Sequence, residues 1–217
     1  MSRDNDQMFD RGQTFYGPDR TINTSDLLGV SLEGMEKTFE DLDYGSTSGS
    51  GVTPARSGRK VVCRLVRNYS GITLYAKQLC NLNEAGTRLT GLATVDSSDA
   101  FPVDEFVPSG GVRHGDLCWV VVEGPAMCQT AYTGGAFNGD IAAGDKIHSA
   151  TASAGTTAAG TTSAAGRVAG FTVVAATTAG QFTSLKNYLQ NYLGQALTAR
   201  TTGNTNADIL VDVRRRR

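Results

Sequence analysis

Histidine is nearly missing from this sequence: two occur in 217 residues, His114 and His148. Cysteine is sparse too, at Cys63, Cys80, Cys118 and Cys128, and no two are spaced C-x-x-C. Ligand clusters of the kind that hold structural zinc are therefore absent, and no metal or other cofactor is expected. Three of the four cysteines lie inside apolar runs, where a thiol behaves as a small buried hydrophobe; reduced thiols point to assembly in a reducing cytoplasm. No apolar run approaches the roughly 20 residues needed to span a bilayer. The polar start "MSRDNDQMFDRGQ" has no apolar segment of the secretory kind. Charge is almost balanced, with a formal net of −1, so no global field recruits nucleic acid or a membrane.

Glycine, by contrast, is abundant at 26 positions, and alanine and threonine are frequent. With 40% hydrophobic and 19% charged residues, this is a globular, turn-rich composition. Two parts are expected. In residues 1–58, an amphipathic stretch occupies 25–43, where Leu28, Leu32, Met35, Phe39 and Leu42 recur at intervals of four and three. That spacing predicts one apolar stripe of a short helix. Gly29 and Gly34 weaken it by about 1 kcal/mol each relative to alanine, so it needs a partner surface. "YGSTSGSGVTPARSG" (44–58) follows, with the composition of a flexible tether. The stripe either lies across a neighbouring molecule or folds back on its own domain.

Residues 59–217 read as the body. "RKVVCRLVRN" and "ITLYAKQL" are strand-like, and Asn68 to Gly71 between them predict a hairpin turn. Further strands are expected at 87–95, at 117–124 with a break at Pro125, and at 126–134 as the neighbour of the preceding strand. Others are expected around the Gly-Asp turn of 140–150, at 167–177 and at 207–213. The Thr/Ala/Gly stretch 151–166 predicts an exposed loop. A helix is predicted over 184–197, with Leu185, Tyr188, Leu189, Tyr192 and Leu193 on its apolar face and a cap at Thr183 or Ser184. Eight or nine short strands and one inserted helix indicate a β-barrel or sandwich, whose core needs neither disulfides nor metal.

Chemistry-bearing groups are scattered. His114 and Asp116 share a glycine-rich loop, but no nucleophile motif accompanies them. Asp104 and Glu105 are adjacent on an extended segment, which points their side chains apart. The glycine clusters lack the Lys-Ser/Thr ending of a phosphate loop and the strand–loop–helix context of a dinucleotide site. Trp119 reads as core, its indole N–H reaching an edge partner. The terminal Arg214, Arg215, Arg216 and Arg217 suit a solvated end, carboxylates of a partner protein, or phosphates. No enzyme is expected, no catalytic residue is assigned, and the profile is one of contact.

Six phrases, in order, carry a resemblance. They are "VVCRLVRNYSGITLYAKQL" (61–79), "FPVDEFVPSGGV" (101–112), "GDLCWVVVEGPA" (115–126), "IAAGDKIHSA" (141–150) with "GRVAGFTVVAA" (166–176), and "ADILVDV" (207–213). Together they resemble the capsid cement, or head decoration, proteins of tailed bacteriophages, over about residues 59–213. The resemblance implies a mainly β fold: a small antiparallel β-barrel or sandwich, β-tulip-like, with the helix near 184–197 as an insertion and an extended N-terminal arm. It implies a structural protein on the exterior of the virion capsid, bound to the major capsid protein and to copies of itself, as a trimer near three-fold positions. Neither a membrane nor a specific nucleic acid is an expected partner. Leu28, Leu32, Met35, Phe39 and Leu42 would then be inter-subunit contacts of the arm, with Arg214 to Arg217 as charged contacts. The alternative is a tail-associated or receptor-binding β-module, in which the Thr/Ala/Gly loops meet a ligand.

Overall fold

The computed structural model describes residues 33–40, 59–93, 100–130, 141–149, 168–170, 192–199 and 208–214. They form ten strands: β1 (Glu36–Glu40), β2 (Lys60–Asn68), β3 (Leu79–Leu82), β4 (Arg88–Leu92), β5 (Ala100–Pro102), β6 (Leu117–Gln129), β7 (Lys146–Ser149), β8 (Val168–Gly170), β9 (Tyr192–Ala196) and β10 (Asp208–Val213). The strand order is β5-β3-β4-β2-β6-β10-β9-β7-β8, with β1 paired to β2 outside that path. The mainly β reading therefore holds. All pairings are antiparallel except β2 with β4, so the sheet is mixed. No barrel closes among the described residues: no ladder joins β5 to β6, and just beyond β5 an isolated bridge links Val103 to Val120.

Strand β6 organises the body. Its first half, Leu117 to Glu123, pairs with β2, and its second half, Gly124 to Gln129, pairs with β10. The six residues "LCWVVV" (117–122) are all buried. Successive side chains of a strand point to opposite faces. Leu117, Trp119 and Val121 accordingly join Val61, Cys63, Leu65, Ile209 and Val211 in one cluster. Cys118, Val120 and Val122 join Val66, Leu74, Leu89 and Val112 in another. A strand covered on both faces loses its polar alternation, which is why this run reads as continuously apolar. Each such side chain contributes about 1.5–3 kcal/mol on full burial.

The halves of β6 meet at Gly124, in the left-handed region at φ 96°. A Cβ there would stand 2.5 Å from the Lys60 carbonyl oxygen. The break expected at Pro125 is thus a change of partner within one strand. Pro125 stands opposite Asp212, and Ala126 to Gln129 continue β6 instead of forming its neighbour.

Three further expectations are corrected. The hairpin after β2 does not form: β2 is flanked by β1, β4 and β6, and the only bridge in 72–78 joins Leu74 to Val112. The helix expected over 25–43 is a strand at Glu36–Glu40, in register from Glu36↔Arg64 to Glu40↔Lys60. Met35 and Phe39 are four apart, a spacing that satisfies a strand face as well as a helical one. Gly34, at φ 88°, turns the chain onto β2, with its N–H donating to the Leu65 carbonyl at 2.7 Å. Finally, the helix expected over 184–197 is a strand at Tyr192–Ala196, held between β10 and β7. Positions 184–191 and the loop 151–166 lie outside the described residues.

Trp119 is completely buried, with Phe39 edge-on at 5.4 Å between ring centroids. Its indole Nε1 has no hydrogen-bond partner, contrary to the expected edge contact. An unsatisfied buried donor is itself a cost, which phenylalanine would remove. Trp119→Phe is therefore expected to destabilise by less than about 1.5 kcal/mol, and Trp119→Ala by about 3–5 kcal/mol. Equal losses in urea unfolding would contradict this account.

Candidate functional site

Asn68 ends β2 with its side chain fully buried. Its Nδ2 donates to the carbonyl oxygens of Ile72 and Val112, each at 2.8 Å. Its Oδ1 accepts from the Ser70 amide at 3.0 Å and from the Ser70 hydroxyl at 2.6 Å. All four hydrogen-bonding positions of the amide are thereby used. The turn 68–72 is fixed from inside, and Gly71 occupies the left-handed region at φ 79°.

A second loop supports it. Leu74 and Val112 exchange backbone bonds of 2.9 and 2.7 Å. Gly111, at φ 74°, approaches so closely that a Cβ would lie 2.6 Å from the Leu74 carbonyl oxygen. What this framework presents is apolar. Tyr69 is 57% exposed, and Ile72 and Tyr75 are each 47% exposed. The Tyr69 ring lies 5.1 Å from the His114 ring, and the Arg88 guanidinium sits 5.3 Å from its centroid. Sequence reasoning missed this surface. Its signal was three large apolar side chains in and beside an Asn-x-Ser-Gly turn, where polar residues are usual.

The residues that suggested chemistry serve as supports. His114 Nδ1 accepts from the Gly71 amide at 3.1 Å, which places the ring proton on Nε2. Asp116 accepts from the Arg113 amide at 3.3 Å, and its carbonyl accepts from the Asn68 amide at 2.8 Å. Asp104 is buried and closes its own turn: Oδ1 accepts from the Phe106 amide at 3.0 Å, and the Cys63 thiol lies 3.5 Å from Oδ2. Glu105 beside it is only partly buried. Cys63, Cys80, Cys118 and Cys128 are all buried, and none is in a disulfide. Burial, then the nearby Asp104 and Asp116, push the Cys118 thiol far up. Burial acts first on Cys128 and Cys80 as well, followed by Asp208 and Glu105 for Cys128 and by Cys118 for Cys80. Cys80, Cys118 and Cys128 therefore stay protonated and are poor nucleophiles. No group of three or more metal-ligating side chains occurs among the described residues. None of their helices is long and apolar enough to cross a membrane.

The predicted contact residues divide. Met35 and Phe39 pack against the chain's own core. Leu28, Leu32 and Leu42 lie outside the described residues, as do Arg215, Arg216 and Arg217. Arg214 is exposed, and its amide donates to the Leu193 carbonyl at 3.0 Å. Charge also fastens the arm segment. Glu33 pairs with Arg67 and, at 3.3 Å, with Arg88; Glu36 pairs with Arg64 at 2.6 Å.

The described residues thus make up a mainly β protein with a rigidly supported apolar turn and an N-terminal segment laid along β2. No protein-family model matches the chain, and a search of the curated proteins finds no match.

Proposed function

We propose that this chain is a structural protein of the bacteriophage virion, a capsid cement protein that binds the assembled shell and bridges major capsid subunits. The observation that carries the reading is the exposure of Tyr69, Ile72 and Tyr75 in and beside the turn that Asn68 holds, within the phrase "RNYSGITLY" (67–75) that carries the resemblance. Apolar and aromatic side chains at roughly half exposure offer contact area at little entropic cost, because their backbone is already ordered. In this reading Tyr69, Ile72 and Tyr75 meet the major capsid protein. The molecule sits on the capsid exterior among copies of itself, as a trimer near three-fold positions. Leu28, Leu32 and Leu42 extend the contact from the arm, and Arg214 to Arg217 bind carboxylates of the shell. Many symmetric copies make modest contacts collectively firm.

The test is capsid occupancy. Ile72→Asp/Tyr75→Asp places two charges on exposed positions, so the fold should survive. At about 25 cal/mol per Å² of apolar area, losing both contacts should weaken binding at least about tenfold. Unchanged occupancy on purified shells would overturn the proposed surface. Copy number tests the class: cement should be present in about hundreds of copies per virion, as repeated symmetric contacts require. Only a few copies would favour the tail-associated or receptor-binding module.

A further inference from the structure

β1 occupies a slot that the rest of the sheet leaves open. Strand β2 gives one edge to β6, while its other edge meets β4 only at Arg67 and Asn68. The remainder of that edge, Lys60 to Arg64, is filled by β1. The backbone continues the pairing one step further, through the Leu65 amide to the Met35 carbonyl at 2.8 Å. Without β1 the slot would present unpaired strand hydrogen-bonding groups, and Trp119 would lose the Phe39 ring packed edge-on against it.

Among the described residues, the body holds the segment 33–40 through Arg64 on Glu36 in β1, Arg67 and Arg88 on Glu33 just before it, and Trp119 against Phe39. A second copy of the chain presents the same groups in the same places. Nothing in the ladder therefore distinguishes a β1 from the same chain from one supplied by another.

The connection is what departs from an ordinary hairpin. Glu40 stands opposite Lys60, so the chain need only reverse there, and antiparallel neighbours are commonly joined by 2–5 residues. Residues 41–59 supply 19. At 3.3–3.6 Å per residue that length can reach roughly 60 Å, several times the radius of a domain of this size. A connection of 19 residues, several times what its own strand pair requires, is long enough to deliver that strand to a neighbour.

We propose that the β2 edge is a socket for residues 33–40 of a second copy of this chain, so that adjacent copies exchange β1 and become interlocked. A connection of this length keeps the strand near its own socket at an effective concentration on the order of millimolar. Exchange is therefore expected where copies reach comparable local density. This inference does not rest on the capsid reading, since it concerns only copies of the chain meeting one another.

Thr38 and Val62 face each other in the β1–β2 ladder. Two full-length chains with different tags, one carrying Thr38→Cys and the other Val62→Cys, can form that disulfide only between molecules. After co-concentration and mild oxidation, a covalent heterodimer is expected on a non-reducing gel, with a yield that rises with concentration. The comparison is Thr38→Cys mixed with Ile72→Cys, whose new thiol is exposed but outside the ladder; it should give less than about a tenth of that yield. Should Val62→Cys fail to fold, Glu40→Cys with Lys60→Cys probes the ladder's other end, where Lys60 is exposed. No heterodimer up to millimolar concentration, or equal yields for the ladder and off-ladder pairs, would overturn the exchange.

Discussion

Gly194→Ala is expected to destabilise this protein by more than about 3 kcal/mol, with a fall in Tm of roughly 10 °C for a chain of this size. Gly194 lies in β9 opposite Val213 of β10. A Cβ at that position would stand 2.1 Å from the Asp212 carbonyl oxygen, 2.9 Å from its carbon and 3.1 Å from the Val213 Cα. All three are backbone atoms, so no side chain can swing aside. The two strands would have to separate, weakening their ladder and exposing the buried Leu193 and Ala196. The sign of the effect is informative. Were 192–196 helical, as the apolar spacing of 184–197 suggests, replacing glycine with alanine would stabilise by about 1 kcal/mol. Gly91→Ala is the control, because a Cβ there meets nothing within 4 Å. Thermal unfolding of the two variants by circular dichroism decides the matter. A Gly194→Ala protein as stable as Gly91→Ala would refute the β9–β10 pairing.

That contrast shows which parts of the fold were legible. Strands β2, β4, β7 and β10 announce themselves through β-branched residues between glycine- and asparagine-rich turns. The first half of β6 does so through an apolar run, as a strand covered on both faces must. Strands β1 and β9 were misread for a shared reason. Met35 and Phe39, four apart, fall on one face in either a helix or a strand, and pairing with β2 rather than local preference selects the strand. In β9, Gly194 argued weakly against helix, while its cause, the approach of the Asp212 carbonyl, lies 18 residues away in the chain. The extent of β6 was missed because Pro125 is a local signal, whereas the switch from β2 to β10 is a tertiary event. At the candidate site the turn at Asn68 was legible, but not its consequence. That β2 borders β4 and β6 in place of the next segment depends on long-range pairing, as does the exposure of Tyr69, Ile72 and Tyr75.

The turn itself supplies the second large expected effect. Asn68→Ala removes two donated and two accepted hydrogen bonds from a fully buried position. The Val112 carbonyl keeps its bond from the Leu74 amide, so it is not orphaned. The Ser70 amide loses its acceptor. Net hydrogen bonds contribute about 1 kcal/mol each, and each unsatisfied buried group costs about 1–3 kcal/mol, so a total loss near 3 kcal/mol is expected. Asn68→Asp tests the cause more sharply. It preserves shape and both acceptor functions but, when ionised, cannot donate to Ile72 or Val112, and it buries a charge; it should destabilise at least as much as alanine. Loosening should also be local. Proteolytic cleavage near Tyr69 to Tyr75 should accelerate at temperatures where the sheet remains folded, because the support from Asn68 is lost while the ladders of β2 with β6 persist. If the turn presents the apolar side chains to the proposed capsid partner, Asn68→Ala will weaken that proposed binding even though Asn68 is itself too buried to touch a partner. If binding persists with the turn demonstrably loosened, rigidity has no part in the contact. Stability within about 1 kcal/mol of the parent protein would mean instead that water replaces the carboxamide at no great cost.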